Sequence, residues 1–306
     1  MCIVCAFAVA APAPRVPDGE IFPTDAAALP WPSGAPLGGS LVWTGVAGFV
    51  FELDGTRIAF DPFVTRPSLF ATLFRRARTD DPAVVTAFSG LDAVFVGHTH
   101  YDHAMDVPAV AAASPRAAIH GSRVTTETMR RLGVPPARCV TVEDGRAVRV
   151  GPFTVEPIAS EHGLVPLVRF VDRVELPREG VPRTPFRWPR GDVFAWRVEV
   201  GGRSFHLQGS AGLLDAPLAR QRPCDVLVAC LAARQGTPGY LARLGERLRP
   251  SLLLPCHHDD FFRPLSEPAA PIATLRWGAF RRDAAALEAA HGTRLVLPPR
   301  MRPLAF

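Results

Sequence analysis

The stretch "VFVGHTHYDHAMD", from Val94 to Asp106, places three of the chain's nine histidines within six residues. An apolar run comes directly before them and is typical of a strand buried on both faces. Imidazoles crowded in this way repel one another once protonated, and a buried imidazole needs a partner for each ring nitrogen. Because alternate residues of an extended segment point to the same side, His98 and His100 can bind one metal ion.

The residues just after this pair extend the same pattern. Asp102 and His103 follow the expected turn, where they can bind a second ion or a water molecule. Imidazole and carboxylate ligands suit zinc, and also manganese, iron or nickel. We therefore expect one or two divalent ions, with zinc first, at the carboxyl end of a strand, where α/β folds commonly open their pockets. A chance cluster of solvated histidines is the alternative, and the regular alternation argues against it.

The arrangement of strands and helices predicts an α/β fold. Apolar strands flank two tight hairpin signals, Asp54-Gly55 and Gly201-Gly202, and the last third of the chain alternates strands with helices. The 306 residues, 48% of them hydrophobic, are enough for one large domain. We predict two mixed β-sheets with helices on their outer faces, in one domain at 40–306 that follows an irregular leader at 1–39.

One segment, 163–192, interrupts this alternation. It is rich in proline and arginine, shows no clear period, and is too long for an ordinary connection. We interpret it as an insertion that forms a lid or a pocket wall, with surface decoration or disorder as the alternatives.

Composition narrows the classes of partner and compartment. All 34 basic residues are arginine, which indicates coding bias, so the net charge of +5 does not predict nucleic-acid binding. The scattered positions of the six cysteines do not predict a disulfide framework, and no apolar run is long enough to span a membrane. We expect a cytoplasmic protein without stable membrane insertion, and a weak secretory signal at the start is the alternative. The oligomeric state stays open.

The motif H-x-H-x-D-H after an apolar strand resembles the signature of the metallo-β-lactamase superfamily. "VWTGVAGFVFELDGTRIAFDP", at 42–62, is similar to the opening strands of the phospholipase D-like and lactonase-like branch of that superfamily. "FTVEPIASEHG" and "LLLPCHHDDFF" resemble the later segments that each deliver one more histidine. The resemblance covers about 40–298 and implies a four-layer αβ/βα sandwich, with the metals at the edge of the two sheets.

The resemblance also implies a ligand set. His98, His100 and His162 would bind the first metal, whereas Asp102, His103 and His257 would bind the second. Asp102 would also be catalytic, because it would hold the nucleophile or take its proton. His258 is the alternative to its neighbour His257. Asp61 would orient a ligand histidine, or else serve only as a turn residue, and structural roles are expected for the remaining histidines, His120, His206 and His291.

The chain departs from the family pattern where an aspartate usually bridges both metals, since "FHLQGSAGLLD" has Ser210 at that position. A neutral hydroxyl is a poorer bridging ligand, so we expect a weak second site. The sequence does not decide which nearby carboxylate could substitute, among Glu161, Asp215, Asp259 and Asp260. Val46 stands where relatives often carry a histidine, and no ligand role is expected for it.

The resemblance implies a metal-dependent hydrolase that acts on a small molecule. A bound cation lowers the pKa of its water from about 15.7 toward 7, so that metal-bound hydroxide is available to attack a carbonyl or phosphoryl centre. A phosphodiester is preferred over a lactone or other ester, because the opening strands resemble the phospholipase D-like branch. The alternative is a degenerate scaffold that binds metal or ligand without turnover, which Ser210 favours and the complete histidine motif disfavours.

Overall fold

The computed structural model consists of two seven-stranded mixed sheets that pack face to face, with helices on their outer surfaces. We number strands and helices separately in chain order. The structure describes residues 18–24, 28–31, 36–78, 82–164 and 173–306.

The first sheet has the strand order β14-β1-β2-β3-β4-β5-β6. The pairs from β14 to β3 are antiparallel, and those from β3 to β6 are parallel. Its strands are β1 (Ser40–Gly45), β2 (Gly48–Leu53), β3 (Thr56–Phe60), β4 (Ala93–Phe95), β5 (Ala118–Gly121), β6 (Cys139–Thr141) and β14 (Pro303–Ala305).

The second sheet repeats this division in the order β13-β12-β11-β10-β9-β8-β7. The pairs from β13 to β10 are parallel and those from β10 to β7 are antiparallel. Its strands are β7 (Val148–Val150), β8 (Phe153–Ser160), β9 (Val193–Val200), β10 (Arg203–Gln208), β11 (Val226–Cys230), β12 (Leu252–Cys256) and β13 (Arg294–Leu295).

The helices of the described residues are short apart from the last one. None of them is long and apolar enough to cross a membrane. They are α1 (Asp18–Ile21), α2 (Leu69–Phe74), α3 (Pro82–Phe88), α4 (Tyr101–Ala104), α5 (Val107–Ala113), α6 (Arg123–Arg131), α7 (Asp215–Ala219), α8 (Tyr240–Leu248) and α9 (Trp277–His291).

The two tight turns of the sequence form the predicted hairpins. Asp54 and Gly55 have φ angles of 49° and 74° between the antiparallel strands β2 and β3. Gly201 and Gly202, with φ of 53° and 78°, join β9 to β10 in the same way. Two successive positive φ angles match the twist of the flanking strands, which explains why short, permissive residues occupy these positions.

Aromatic side chains fill the space between the two sheets. Phe51 meets Phe205 edge to face with ring centroids 5.1 Å apart, and Phe95 meets Trp196 at 5.3 Å. Burial of each such ring stabilises the fold by about 1.5–3 kcal/mol. Because these contacts join the sheets, they fix the carboxyl ends of β3 and β4 relative to those of β8, β10 and β12, and the candidate site lies at these ends.

The predicted leader contains structure that composition did not indicate. Within its described residues, α1 is followed by Phe22, whose ring stacks on Trp43 with centroids 6.3 Å apart. Leu29 donates a backbone hydrogen bond to Ala305 of the edge strand β14. Apolar residues therefore anchor parts of this segment to the core, although the segment lacks the periodicity from which such packing could be predicted.

Candidate metal centre

Three histidines from two strand ends form a first cluster. His98 and His100 follow β4, and His162 follows β8 in the other sheet. Nε2 of His98 lies 3.1 Å from Nδ1 of His100, and the His162 ring centroid is 4.6 Å from that of His100. One nitrogen of each histidine lies within 4.8 Å of the others. The three rings therefore converge on one point at the edge where the sheets meet.

The second cluster adjoins the first. Asp102 and His103 lie on α4, and His257 follows β12. Nε2 of His257 is 3.3 Å from Oδ2 of Asp102, and the ligand atoms of all three residues lie within 4.8 Å of one another. The rings of His98 and His103 have centroids only 3.9 Å apart, so the two clusters are in direct contact.

The chemistry of both clusters fits divalent metal ions. Two nitrogen ligands of one tetrahedral zinc ion lie about 3.3 Å apart, close to the separation within the first cluster. Burial, with further repulsion from neighbouring histidines, holds the pKa of His98 and of His100 well below the ordinary value, which keeps both rings neutral as metal binding requires. Oδ1 of Asp102 is buried and accepts no hydrogen bond from the described residues.

Charge distribution sets the protonation of the second cluster. Burial alone would raise the pKa of Asp102, but its hydrogen bond with His257 and the charges of His103 and His257 contribute to lowering that pKa below its usual range. Burial would likewise lower the pKa of His103, yet the nearby carboxylates of Asp61 and Asp102 raise it overall. Asp102 is therefore ionised, as a metal ligand or proton acceptor should be.

Asp61, at the end of β3, orients His103. Oδ2 of Asp61 lies 2.9 Å from Nδ1 of His103, and Oδ1 accepts a hydrogen bond of 2.6 Å from the backbone N–H of Gly97. The carboxylate therefore fixes both the imidazole and the residue that precedes His98. Such a contact leaves Nε2 of His103 as the nitrogen available to a metal.

A buried ion pair holds His257 in a left-handed backbone conformation, with φ of 53°. The N–H of His257 donates to the carbonyl of Val46 at 2.6 Å, and the N–H of Val46 donates to Asp259 at 2.9 Å. Asp259 also pairs with Arg66, and both side chains are fully buried. Burial would raise the pKa of Asp259, but the charge of Arg66 overrides it and lowers the pKa to about 2. A Cβ at Gly45 would lie 1.8 Å from the Arg66 guanidinium, which explains the glycine there.

His258 lies outside both clusters. Its ring stacks on Phe22 and on Trp43, with centroids 5.1 and 4.8 Å away, and burial lowers its pKa to about 4. The geometry therefore favours His257 of the two adjacent histidines. Two further histidines have contacts typical of structural roles, since His120 stacks on Phe95 and His206 contacts Gln208.

Ser210 follows β10 and is buried beside the first cluster. Its hydroxyl accepts a hydrogen bond of 3.2 Å from the N–H of Gly163, next to His162. Among the described residues, neither ligand cluster includes any of the four carboxylates considered as substitutes. Three of them have other partners: Asp215 pairs with Arg243, Asp259 with Arg66, and Asp260 accepts from the N–H of Phe262, whereas Glu161 is exposed.

The described end of the 163–192 segment packs against the metal-binding motif. The carbonyl of Arg190 accepts a hydrogen bond of 2.7 Å from the N–H of Thr99, which stands between His98 and His100. Trp188 is 1% exposed and belongs to the core beneath the first sheet. This end of the segment is therefore part of the fold, and residues 165–172 lie outside the described residues.

The sequence profile of the β-lactamase superfamily domain matches residues 56–258, which is more than half of the chain and includes both ligand clusters. The chain belongs to this superfamily. Membership confirms the predicted family and, with the observed topology, the predicted four-layer sandwich. It agrees with the prediction of a metallo-hydrolase, and the phospholipase D-like or lactonase-like branch stays a prediction.

Solved structures of this superfamily's fold resemble the chain over most of its length. The isothiocyanate hydrolase from Delia radicum gut bacteria has a TM-score of 0.56 and 16% identity, covering 87% of this chain and 99% of that protein. CmlA, a diiron β-hydroxylase from Streptomyces venezuelae, has a TM-score of 0.55 and 15% identity, covering 90% of this chain and 55% of that protein. At this identity the similarity shows the fold alone.

Among curated proteins, the chain is 28% identical over 123 residues to an uncharacterised protein from Mycobacterium tuberculosis. The match covers 39% of this chain and 33% of that protein, so it spans about a third of the relative's length.

Proposed function

We propose that the protein is a metal-dependent hydrolase whose centre consists of the two adjoining ligand clusters. The observation that carries this proposal is the convergence of six ligand residues, five of them buried and His162 half-buried, from the ends of three strands. They are His98, His100 and His162 in the first cluster, and Asp102, His103 and His257 in the second. Zinc is the first candidate, and manganese, iron and nickel suit the same ligands.

Divalent ions in these clusters would supply an acidified water and polarise the substrate's oxygen. Asp102 is the proposed catalytic residue, because it is ionised and its Oδ1 accepts no hydrogen bond from the described residues. That oxygen can hold the attacking water by one proton and take the proton as the new bond forms. Asp61 holds the His103 ring in place meanwhile, so the surrounding ligands need not reorganise.

The proposed substrate is a small phosphodiester, with a lactone or other ester as the second choice. The similarity of the opening strands, 42–62, to the phospholipase D-like branch supports the diester. We propose a cytoplasmic enzyme without a nucleic-acid partner, as composition predicts.

Hydrolysis assays on Asp102→Asn test the proposal most simply. The wild type, loaded in turn with zinc, manganese and iron, should hydrolyse bis(p-nitrophenyl) phosphate or a simple lactone. Asp102→Asn should lose at least about 100-fold in kcat, because general acid–base groups contribute about that much or more. Asp215→Asn is the matched control, since Asp215 is exposed and pairs with Arg243 away from the clusters. Equal activity of Asp102→Asn and wild type would refute the role of Asp102.

A scaffold that binds metal without turnover is the second candidate, and Ser210 is the observation that favours it. Under this alternative the wild type would bind metal as the hydrolase proposal expects. It would hydrolyse no phosphodiester and no ester with any of the three metals. The same assays therefore separate the two functions.

A further inference from the structure

Two phenylalanines of α2 project into solvent. Phe70 and Phe74 are 60% and 69% exposed, more than the other large apolar side chains that the structure describes as exposed. They stand four residues apart on one helix face, and their ring centroids are 5.2 Å apart. A contiguous pair of exposed aromatic rings is a candidate interaction surface.

Arginines surround this aromatic pair. Arg75, Arg76 and Arg78 follow it and line a cleft of about 310 Å³, whose described lining residues include no carboxylate. The guanidinium of Arg75 also lies over the Phe70 ring at 5.9 Å. The cleft therefore places the positive charges of Arg75 and Arg76 directly beside exposed apolar rings.

The surface lies close to the candidate metal centre. Met105, two residues after His103, lines the cleft together with Pro185 from the 163–192 segment. Ala77 donates a backbone hydrogen bond of 2.9 Å to Arg183 of the same segment. The α2 surface, defined as Phe70, Phe74, Arg75 and Arg76, thus adjoins both the metal-binding motif and the insertion.

We propose that the α2 surface docks the protein on an anionic lipid bilayer. The two rings enter the boundary between headgroups and acyl chains, where aromatic side chains are stable, and the arginine-lined cleft receives headgroup phosphate. Charge complementarity favours an anionic lipid surface over a second copy of this chain, because two identical arginine-bearing surfaces would repel each other. Asp80 and Asp81 follow in the sequence, outside the described residues.

Co-sedimentation with vesicles tests this directly on the full-length protein. The wild type should bind vesicles of equal parts phosphatidylcholine and phosphatidylglycerol at least about tenfold more tightly than pure phosphatidylcholine vesicles, since each arginine near an anionic surface contributes about a fivefold gain. Added salt should weaken the binding by screening.

Two variants separate the aromatic and basic contributions. Phe70→Ser with Phe74→Ser should lose at least about tenfold in binding to the anionic vesicles, because the buried apolar area disappears. Arg75→Ala with Arg76→Ala should lose about 25-fold. Val85→Ser is the control, since Val85 is 53% exposed on the next helix and should bind as the wild type does. Circular dichroism and metal content should match the wild type in all three.

Several results would overturn the docking proposal. The wild type could fail to bind anionic vesicles, or all variants could bind them equally. Inorganic phosphate could bind the cleft while vesicles do not, which would identify a free-anion site. Self-association that the phenylalanine variant abolishes, without vesicle binding, would identify a second copy as the occupant. Because vesicle binding requires no turnover, each of these failures leaves the hydrolase proposal standing.

Discussion

Oδ2 of Asp61 lies 2.9 Å from Nδ1 of His103, and this contact joins the end of β3 to a candidate ligand of the second cluster. Both side chains are nearly fully buried, so the carboxylate acts on the imidazole with little screening by solvent. The same carboxylate accepts from Gly97, which places it behind both clusters rather than among the ligand atoms.

Replacing Asp61 should therefore weaken metal binding. We expect Asp61→Asn to lower affinity at the second cluster by about 10–100-fold, since partners of ligand histidines contribute on that scale. Titration against a competing chelator measures the affinity, and Asp54→Asn in the exposed hairpin is the control. Unchanged affinity in Asp61→Asn would show that Asp61 is only a turn residue.

Ser210 should make the second cluster the weaker one. Two divalent ions a few ångströms apart repel each other, and a hydroxyl carries no charge to offset this repulsion. Ser210→Asp should raise occupancy of the second cluster and increase the hydrolytic rate, whereas Ser210→Ala should do neither. Calorimetric titration with zinc measures the two binding steps, one for each cluster. Two tight steps in the wild type, unaltered by Ser210→Asp, would mean that another group bridges the ions.

The 163–192 segment should influence which substrate is hydrolysed. Its buried end, with Trp188 and Arg190, belongs to the fold, so the exchange must be confined to residues 165–180. A short Gly/Ser linker there should change the ratio of diester to lactone hydrolysis and leave metal content intact. If both rates keep their wild-type values, the exchanged part is surface decoration.

His206 should make stability depend on pH. Burial lowers its pKa from 6.5 to about 4, with a smaller contribution from the charge of Arg197, while the contact with Gln208 opposes the shift. The unfolded chain then binds more protons between these values. The stabilisation by neutral His206 is complete above about pH 6.5 and is lost as the pH falls toward about 4. The free energy of unfolding lost in this way is about 3 kcal/mol at most.

Urea unfolding of the wild type and of His206→Gln at about pH 7 and about pH 4.5 measures this term. The free energy of unfolding should fall more in the wild type than in the variant, because only the wild type carries the His206 imidazole. The ligand histidines contribute equally to both proteins. Parallel losses in the two proteins would exclude His206 as the source.

Much of the fold followed from short-range patterns in the sequence. The Asp54-Gly55 turn and the apolar run before His98 depend on local geometry alone, and both lie where they were predicted. Ser122, a residue type favoured at this position, accepts the N–H of Thr125 as the N-cap of α6. Local signals of this kind survive in the folded chain because tertiary packing reinforces them.

The long-range contacts that hold the site residues in place could not be predicted in the same way. Arg66 and Asp259 are 193 residues apart in the chain, and no spacing rule connects them. The stacking of His258 on Phe22 likewise depends on a segment that composition predicts to be irregular. Long-range partners of this type are fixed by the three-dimensional packing of whole elements, which a linear pattern does not encode.

Metal content per chain tests the central claim most directly. Elemental analysis of purified wild type, after dialysis against zinc at low concentration, should give nearer one ion than two, and His100→Ala should lose most of it together with all hydrolysis. The first cluster would then be the tight site, with three neutral imidazoles and one position left for water. Equal metal content in wild type and His100→Ala would contradict the account.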